Sequence, residues 1–500
     1  MNKAQKAKWN TATSLIYQVL TIIFSFITPR LIIQFYGSEI NGLISSYVKF
    51  FSFISILRIG LVSSVRFTLY KPLAERNKSK VSGILVSTEK YMRRIAFIFL
   101  PYAVIVVCMF PYFTHSNISP SDMIFLGLIV SIGVFSEYYF GITYQTLLSA
   151  DQKLFEYTIM QIISTVFYNI IAIFLILNRA SIYSVRIIYA VIFTIGPFII
   201  AKLVIKQYDI NRTSQPIDDA YEMRKDAIAQ SIANIIHDTV DVAVITLFLN
   251  ISMVSVYAIY YLVISGINSI FSVLTSGLEP AFGRYWADED FESFRNNFHT
   301  MEYICAFVII TLFSSIFILF LPFIKLYTNN ITDAIYVLPV YAILTVCVAL
   351  TNAFREPYTI SVQAAGKYKD TKFIAIGEAI INLVISIVSV KYYGIYGAVI
   401  GTIIANSYRT IRYALFTYKK LIKQSYIHLL KIFLWTISGM FISIIILNYI
   451  IAFIGITSWI HWLISGIICI AISLIVSLLW SVIFYKKDFQ RFIRIIKNAK

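Results

Sequence analysis

The stretch Gly42–Glu75, "GLISSYVKFFSFISILRIGLVSSVRFTLYKPLAE", is long and apolar enough to cross a membrane, yet it carries Lys49, Arg58 and Arg66. A cation at the centre of a bilayer costs about 2.5–3.5 kcal/mol on insertion scales. Three on one apolar segment therefore need water or partners at depth. The same composition runs through the chain. Of 500 residues, 59% are hydrophobic and only 13% charged, against roughly 25% charged in soluble domains. Apolar runs of about 20 residues, the length that crosses ~30 Å of hydrocarbon, recur from end to end. They lack the alternation of membrane β-strands. The expected class is an all-α polytopic membrane protein.

About fourteen spans are expected by that length rule. They are Thr11–Tyr36, Ile40–Tyr70, Arg94–Phe113, Met123–Leu148, Tyr157–Leu177, Val185–Ile205, Ala227–Leu249, Val254–Leu278, Met301–Leu321, Ala334–Val362, Phe373–Val390, Ile395–Phe416, Leu429–Phe453 and Trp459–Tyr485. The basic start and the absence of a small-x-small cleavage site mark the first as a retained helix.

Loop charges orient the spans. With the N-terminus inside, the basic segments Lys71–Arg94, Lys202–Lys225, Lys367–Lys372, Lys419–Lys431 and Lys486–Lys500 are all cytoplasmic, and external loops keep only Arg179, Arg186, Lys325 and Lys391. This is the positive-inside asymmetry. It puts both termini in the cytoplasm and accounts for the net charge of +17 without nucleic acid. Lys78–Arg94 is expected as a separate amphipathic helix on the inner surface.

An internal repeat of about 210 residues is visible. "AVIFTI" at Ala190–Ile195 returns as "AVIGTI" at Ala398–Ile403, and "SADQKLFEY" at Ser149–Tyr157 resembles "AAGKYKDTKF" at Ala364–Phe373. Each of the latter pair precedes an apolar helix with an Asn, Asn169 and Asn382. Six spans separate the copies, so both run in one direction. The expected organisation is two six-helix lobes related by a parallel pseudo-two-fold, 1–210 and 211–426, enclosing a cavity. Residues 427–500 add two helices and a basic tail. That pair either forms a groove for a lipid tail or pads the lobe.

Buried charges mark the candidate site. On a helical wheel Lys49 shares an arc with Ser45, Ser46, Ser52 and Ser63, a polar face suited to a cavity wall. Arg58 falls opposite, unless a bend near Gly60 turns it. Arg30, after Pro29, is read either as cavity-lining or as snorkelling, and Arg66 as snorkelling. In the seventh span Asp238 and Asp241 share a face, with His237 one turn before Asp241. These acids, and Glu137 in the fourth span, are candidates for coupling to H+ or Na+. Simple charge pairing is the alternative. Tyr138 and Tyr139 offer faces for sugar rings. Arg355 is read as a substrate contact or as a partner of adjacent Glu356 at a Pro357 kink. Arg409 and Arg412 are expected to reach lipid phosphates.

Cys108, Cys305, Cys347 and Cys469 read as packed core residues. The five histidines, His115, His237, His299, His428 and His461, look scattered. No nucleotide, metal or nucleophile motif appears, and no cofactor is expected. A glycan polymerase would need a large external loop, which is not visible; the chain reads as a transporter, not an enzyme.

Five motifs then carry a family resemblance: "LYKPLAE" (Leu69–Glu75), "LLSADQK" (Leu147–Lys153), "NISMVSVYAIY" (Asn250–Tyr260), "FGRYWADED" (Phe282–Asp290) and "YGIYGAVIGT" (Tyr393–Thr402). With them the chain resembles the Wzx-type polysaccharide repeat-unit flippases of the multidrug/oligosaccharidyl-lipid/polysaccharide (MOP) exporter superfamily. The resemblance implies a MATE-like fold in the bacterial inner membrane. It implies translocation of undecaprenyl-diphosphate-linked oligosaccharide by alternating access, alongside a glycan polymerase and a chain-length partner. Lys49, Arg30 and Arg58 would meet the diphosphate. The family places Thr directly before Asp in the seventh span; here Asp238-Thr239-Val240-Asp241 leaves open which Asp corresponds. A lipid-II-type flippase and a multidrug cation antiporter of the same fold are the rival expectations.

Overall fold

The computed structural model describes residues 2–217, 225–275, 278–486 and 488–491. Among them no strand forms; a lone bridge joins His115 and Asn250. Seventeen α-helices follow in order. The first eight are α1 (Lys3–Tyr36), α2 (Ser38–Ser52), α3 (Leu61–Ala74), α4 (Lys78–Phe113), α5 (Pro120–Ser136), α6 (Ile142–Ala150), α7 (Leu154–Leu177) and α8 (Ile182–Gln207). The remainder are α9 (Lys225–Phe248), α10 (Ile251–Thr275), α11 (Leu278–Ala287), α12 (Phe291–Tyr327), α13 (Pro339–Ala364), α14 (Tyr368–Tyr393), α15 (Ile395–Phe416), α16 (Ile427–Ile454) and α17 (Trp459–Phe484). The protein is multi-pass: among the described residues, 12 helices are long and apolar enough to cross a membrane. The charge-bearing α13 and α15, 26 and 22 residues long, fall outside that set.

Local chemistry sets the helix starts. Asn2 and Gln5 form a reciprocal capping box at α1, Ser119 followed by Pro120 opens α5, and Asp290 caps α12 through the Ser293 amide. Such side chains satisfy amides that lack an intrahelical partner.

Two compact units result, Met1–Ala258 and Ile259–Lys500. In the first, α1 packs on α7, and α5 on α4 and α8. In the second, α14 packs on α15, α15 on α13, and α12 on α13, α16 and α17. The repeat reappears in element order. α12 begins 213 positions after α4 (Phe291 against Lys78), as α15 does after α8 (Ile395 against Ile182).

The turns agree bond for bond. After α6, Asp151, Gln152 and Lys153 donate their amides to Leu147, Ser149 and Leu148; after α13, Ala365, Gly366 and Lys367 donate to Ser361, Gln363 and Val362. Every partner is displaced by 214. Both are helix-terminating turns built on one left-handed residue, Gln152 at φ 58° and Gly366 at φ 65°.

Three expectations need correction. Lys78–Arg94 is not a separate surface helix: it is the first half of the 36-residue α4. Its own inward face (Val81, Ile84, Leu85, Thr88, Met92) is buried in the bundle and carries the helix on unbroken. Likewise α12 starts ten residues before Met301, adding almost three turns that pack through Phe294 and Phe298. Among the cysteines, Cys305 and Cys469 are buried as expected, whereas Cys108 is exposed.

Candidate functional site

Within the first unit the second span is broken. α2 ends at Ser52, a 3-10 turn covers Phe53–Arg58, and Gly60 takes φ 78° before α3 resumes. That φ belongs to the region open to glycine at little cost. Ser52 contributes by donating its hydroxyl to the Lys49 carbonyl at 2.6 Å, a bond that competes with the helical ladder. Broken backbone at membrane depth must be satisfied by protein or water. Tyrosines do part of this: Tyr102 donates to the Phe50 carbonyl at 2.7 Å and Tyr91 to that of Leu57 at 3.1 Å. The break ends the expected wheel at Ser52, so Ser63 does not extend the Lys49 face as a continuous helix would require.

The break gives Arg58 its own neighbour. Its guanidinium lies 5.8 Å from the ring centre of Tyr138, within cation–π range. Glu137, Tyr138 and Tyr139 belong to a π-helical turn, Glu137–Gly141. Glu137 is exposed and Tyr138 is buried. Tyr139 turns elsewhere, beneath Arg93 at 4.7 Å and stacked on Phe135.

Lys49 lies half-buried on α2 where that helix meets α9. Its ammonium points at the Asp238 carbonyl, 3.4 Å away, and the carboxylates of both Asp238 and Asp241 act on its charge. The seam is polar: Ser46 and Thr246 hydroxyls meet at 3.1 Å, and Asn41 donates to Ser255 at 2.7 Å. Asp241 is only 5% exposed and accepts from the Tyr257 hydroxyl at 3.3 Å; Asp238 is exposed and His237 half-buried. Lys49, Asp238 and Asp241 are thus brought together. Arg30 is half-buried on α1 beside Pro29.

Within the second unit, Arg355 pairs with a different acid from the one expected. Its Nη1 donates to Glu378 Oε1 at 2.6 Å, and Arg409 Nη1 donates to Glu378 Oε2 at 2.6 Å. Glu378 and Arg409 are buried, so Arg409 does not extend to lipid phosphates. A carboxylate held between α13, α14 and α15 needs cations more than the surface does. Glu356, free of the pairing expected of it, accepts from Thr275 at 3.0 Å. The triad has one acid for two cations.

One cluster was not foreseen. Glu302 on α12, 3% exposed, accepts from Tyr358 through Oε1 and from Tyr418 through Oε2, each at 2.7 Å. His299 and His428 stand beside it, their ring centres 4.5 Å apart. The only local signal was the His299–Glu302 spacing of three on one helix face; its reading depended on α12 starting earlier than hydropathy suggests.

Glu302 borders an apolar groove of about 740 Å³ between α12, α13, α15 and α16. Cys305, Ala306, Ala353 and Thr436 lie in its wall, and Ile411, Leu430 and Phe433 at its side. The last three are largely exposed, so the groove opens on the outer face of the bundle.

No protein-family model matches the chain, and no curated protein matches it. Solved structures do. The chain is similar to the lipid II flippase MurJ in an inward closed conformation: 17% identity, TM-score 0.71, covering 94% of this chain and 99% of that one. It is similar to an inward-facing multidrug resistance MATE family transporter of the MOP superfamily: 14% identity, TM-score 0.61, covering 80% and 94%. A eukaryotic MATE transporter aligns at 12% identity and TM-score 0.58, covering 84% and 97%. At such identities the likeness concerns architecture. The chain has the all-helical fold shared by MurJ and the MATE transporters of the MOP superfamily.

Proposed function

We propose that the protein is a flippase for anionic lipid-linked oligosaccharides, moving polyprenyl-diphosphate-linked repeat units of a surface polysaccharide from the cytoplasmic to the outer leaflet of the bacterial inner membrane. The observation that carries this is the apolar groove closed on one side by α16. It suits an acyl or prenyl tail that stays in hydrocarbon while its head crosses. A small water-soluble cation needs no such groove. Lys49 and Arg58 on the broken second span supply charge for a diphosphate, with Arg30 as a further cation, and the buried Tyr138 ring supports the Arg58 guanidinium.

Asp241, buried beside Lys49, is assigned the coupling role, with Asp238 and His237 as its neighbours. A proton or Na+ on Asp241 lowers the cost of enclosing the acid in a dry seam. Glu137, exposed on its π-turn, is the weaker coupling position. The cytoplasmic termini rest on the loop-charge asymmetry, and the partnership with a polymerase and a chain-length protein follows from this reading. A lipid-II-type substrate is the second reading, supported by the extent of the MurJ alignment.

The test is reconstitution in proteoliposomes, with head-group accessibility followed over time. The reading expects transbilayer movement of a polyprenyl-diphosphate oligosaccharide and none of a cationic dye. Dye export without lipid movement would replace it with an antiporter.

A further inference from the structure

We propose that His299, Glu302 and His428 form a binding site for a divalent transition-metal ion of the Zn2+ type, which fastens the start of α16 to α12. The three offer one ligand atom each, all within 4.8 Å of one another. Glu302 Oε2 lies 3.6 Å from His299 Nδ1 and 3.5 Å from His428 Nε2. Ligands bonded at about 2.0–2.2 Å in a tetrahedral shell sit roughly 3.3–3.6 Å apart. The two edges from Glu302 are therefore already at coordination spacing, the two imidazole nitrogens, within 4.8 Å of each other, have to draw together on the ion, and two imidazoles with one carboxylate are a ligand set that Zn2+ takes.

The surroundings prepare these atoms. His299 Nε2 lies 2.7 Å from Gln424 Oε1, and an amide oxygen there requires Nε2 to donate. In the neutral ring that leaves the lone pair on Nδ1, a buried nitrogen with no hydrogen-bond partner, directed at Glu302. Such an orienting bond is a common accompaniment of a metal-bound imidazole. Tyr358 and Tyr418 fix the Glu302 carboxylate, and each carboxylate oxygen keeps a second lone pair for a cation. His428 is about one-third exposed, leaving an entry path and room for water as fourth ligand.

The experiment uses the full-length protein in detergent, purified without a histidine tag, stripped with chelator and titrated with Zn2+. Expected are one Zn2+ per chain surviving dialysis, a rise in melting temperature with Zn2+ but not Mg2+, and a tetrahedral visible spectrum with Co2+. His299→Ala and His428→Ala should abolish all three, and Gln424→Leu should weaken binding by about 10–100-fold. His461→Ala, an exposed histidine outside the cluster, should change nothing. No retained metal and no Zn2+-specific thermal shift in the unaltered protein would overturn the proposal, as would binding that survives in both cluster variants. Since metal binding is read directly, a failure here is separable from any failure of the transport reading.

Discussion

Arg355 and Glu378, 23 positions apart in sequence, join α13 to α14 through a 2.6 Å charge-assisted bond, and Glu378 holds Arg409 of α15 through its other oxygen. One carboxylate thus ties three helices. Removing it leaves two guanidiniums facing each other in the bundle. Glu378→Gln should destabilise the protein by roughly 3–5 kcal/mol, the usual cost of an uncompensated buried charge. Arg355→Met should cost less, because Arg409 still neutralises the acid. Thermal unfolding in detergent measures both; equal melting temperatures for the two variants would contradict the shared-carboxylate account.

Helix α2 approaches α10 closely at Gly42. A Cβ there would stand 2.0 Å from the Ile251 carbonyl oxygen, a backbone atom that cannot swing aside. Gly42→Ala should therefore force the helices apart and cost about 1–3 kcal/mol as an overpacking defect. The same substitution at Gly266, where nothing lies within 4 Å, is the control and should be near neutral.

Asp151 predicts a pH dependence. Burial pushes its carboxyl up, but bonds from Lys153, Tyr208 and Lys6 outweigh that and hold it below its ordinary value of 3.8. Lys6 reaches it at 3.1 Å and Tyr208 at 2.5 Å. A carboxyl lowered in the folded state contributes stability that is complete above the unfolded value and lost as pH falls through the folded one. The melting temperature should drop below about pH 4 partly on this account. Asp151→Asn should lose on the order of 1 kcal/mol at neutral pH and show a shallower acid decline. An unchanged acid profile would exclude the mechanism.

The groove gives a prediction specific to the lipid. Ala353 lies in its wall and is buried. A ring at that position, Ala353→Phe, should weaken apparent affinity for a lipid-linked substrate about tenfold, equivalent to ~1.4 kcal/mol. Binding of a water-soluble diphosphate head-group analogue should stay unchanged. Equal loss for both would mean the groove shapes the protein without receiving the tail.

Much of this was legible in the sequence because hydrocarbon imposes a simple rule. Span lengths follow from its thickness, and the repeat offset near 210 reappears in the matched turns at Gln152 and Gly366. The bend at Gly60 was foreseeable from the glycine beside Arg58. Pairings distant in sequence were not. Arg409 is expected at lipid phosphates because periodicity does not reveal that α14 puts Glu378 beside it. The Glu302 cluster is not legible because hydropathy starts the span at Met301, which leaves His299 outside the helix that carries Glu302, and His428 is distant in sequence. Lys78–Arg94 looked amphipathic because it is; the sequence did not show that protein, not the membrane surface, covers its apolar face.

The central claim concerns Lys49, held at the α2–α9 seam beside Asp238 and Asp241. Its most direct test is the rate at which a polyprenyl-diphosphate oligosaccharide crosses proteoliposomes containing Lys49→Ala, normalised to folded protein. The account predicts loss of movement per folded protein with insertion preserved, and partial recovery in Lys49→Arg. Movement at the unaltered rate in Lys49→Ala would contradict it.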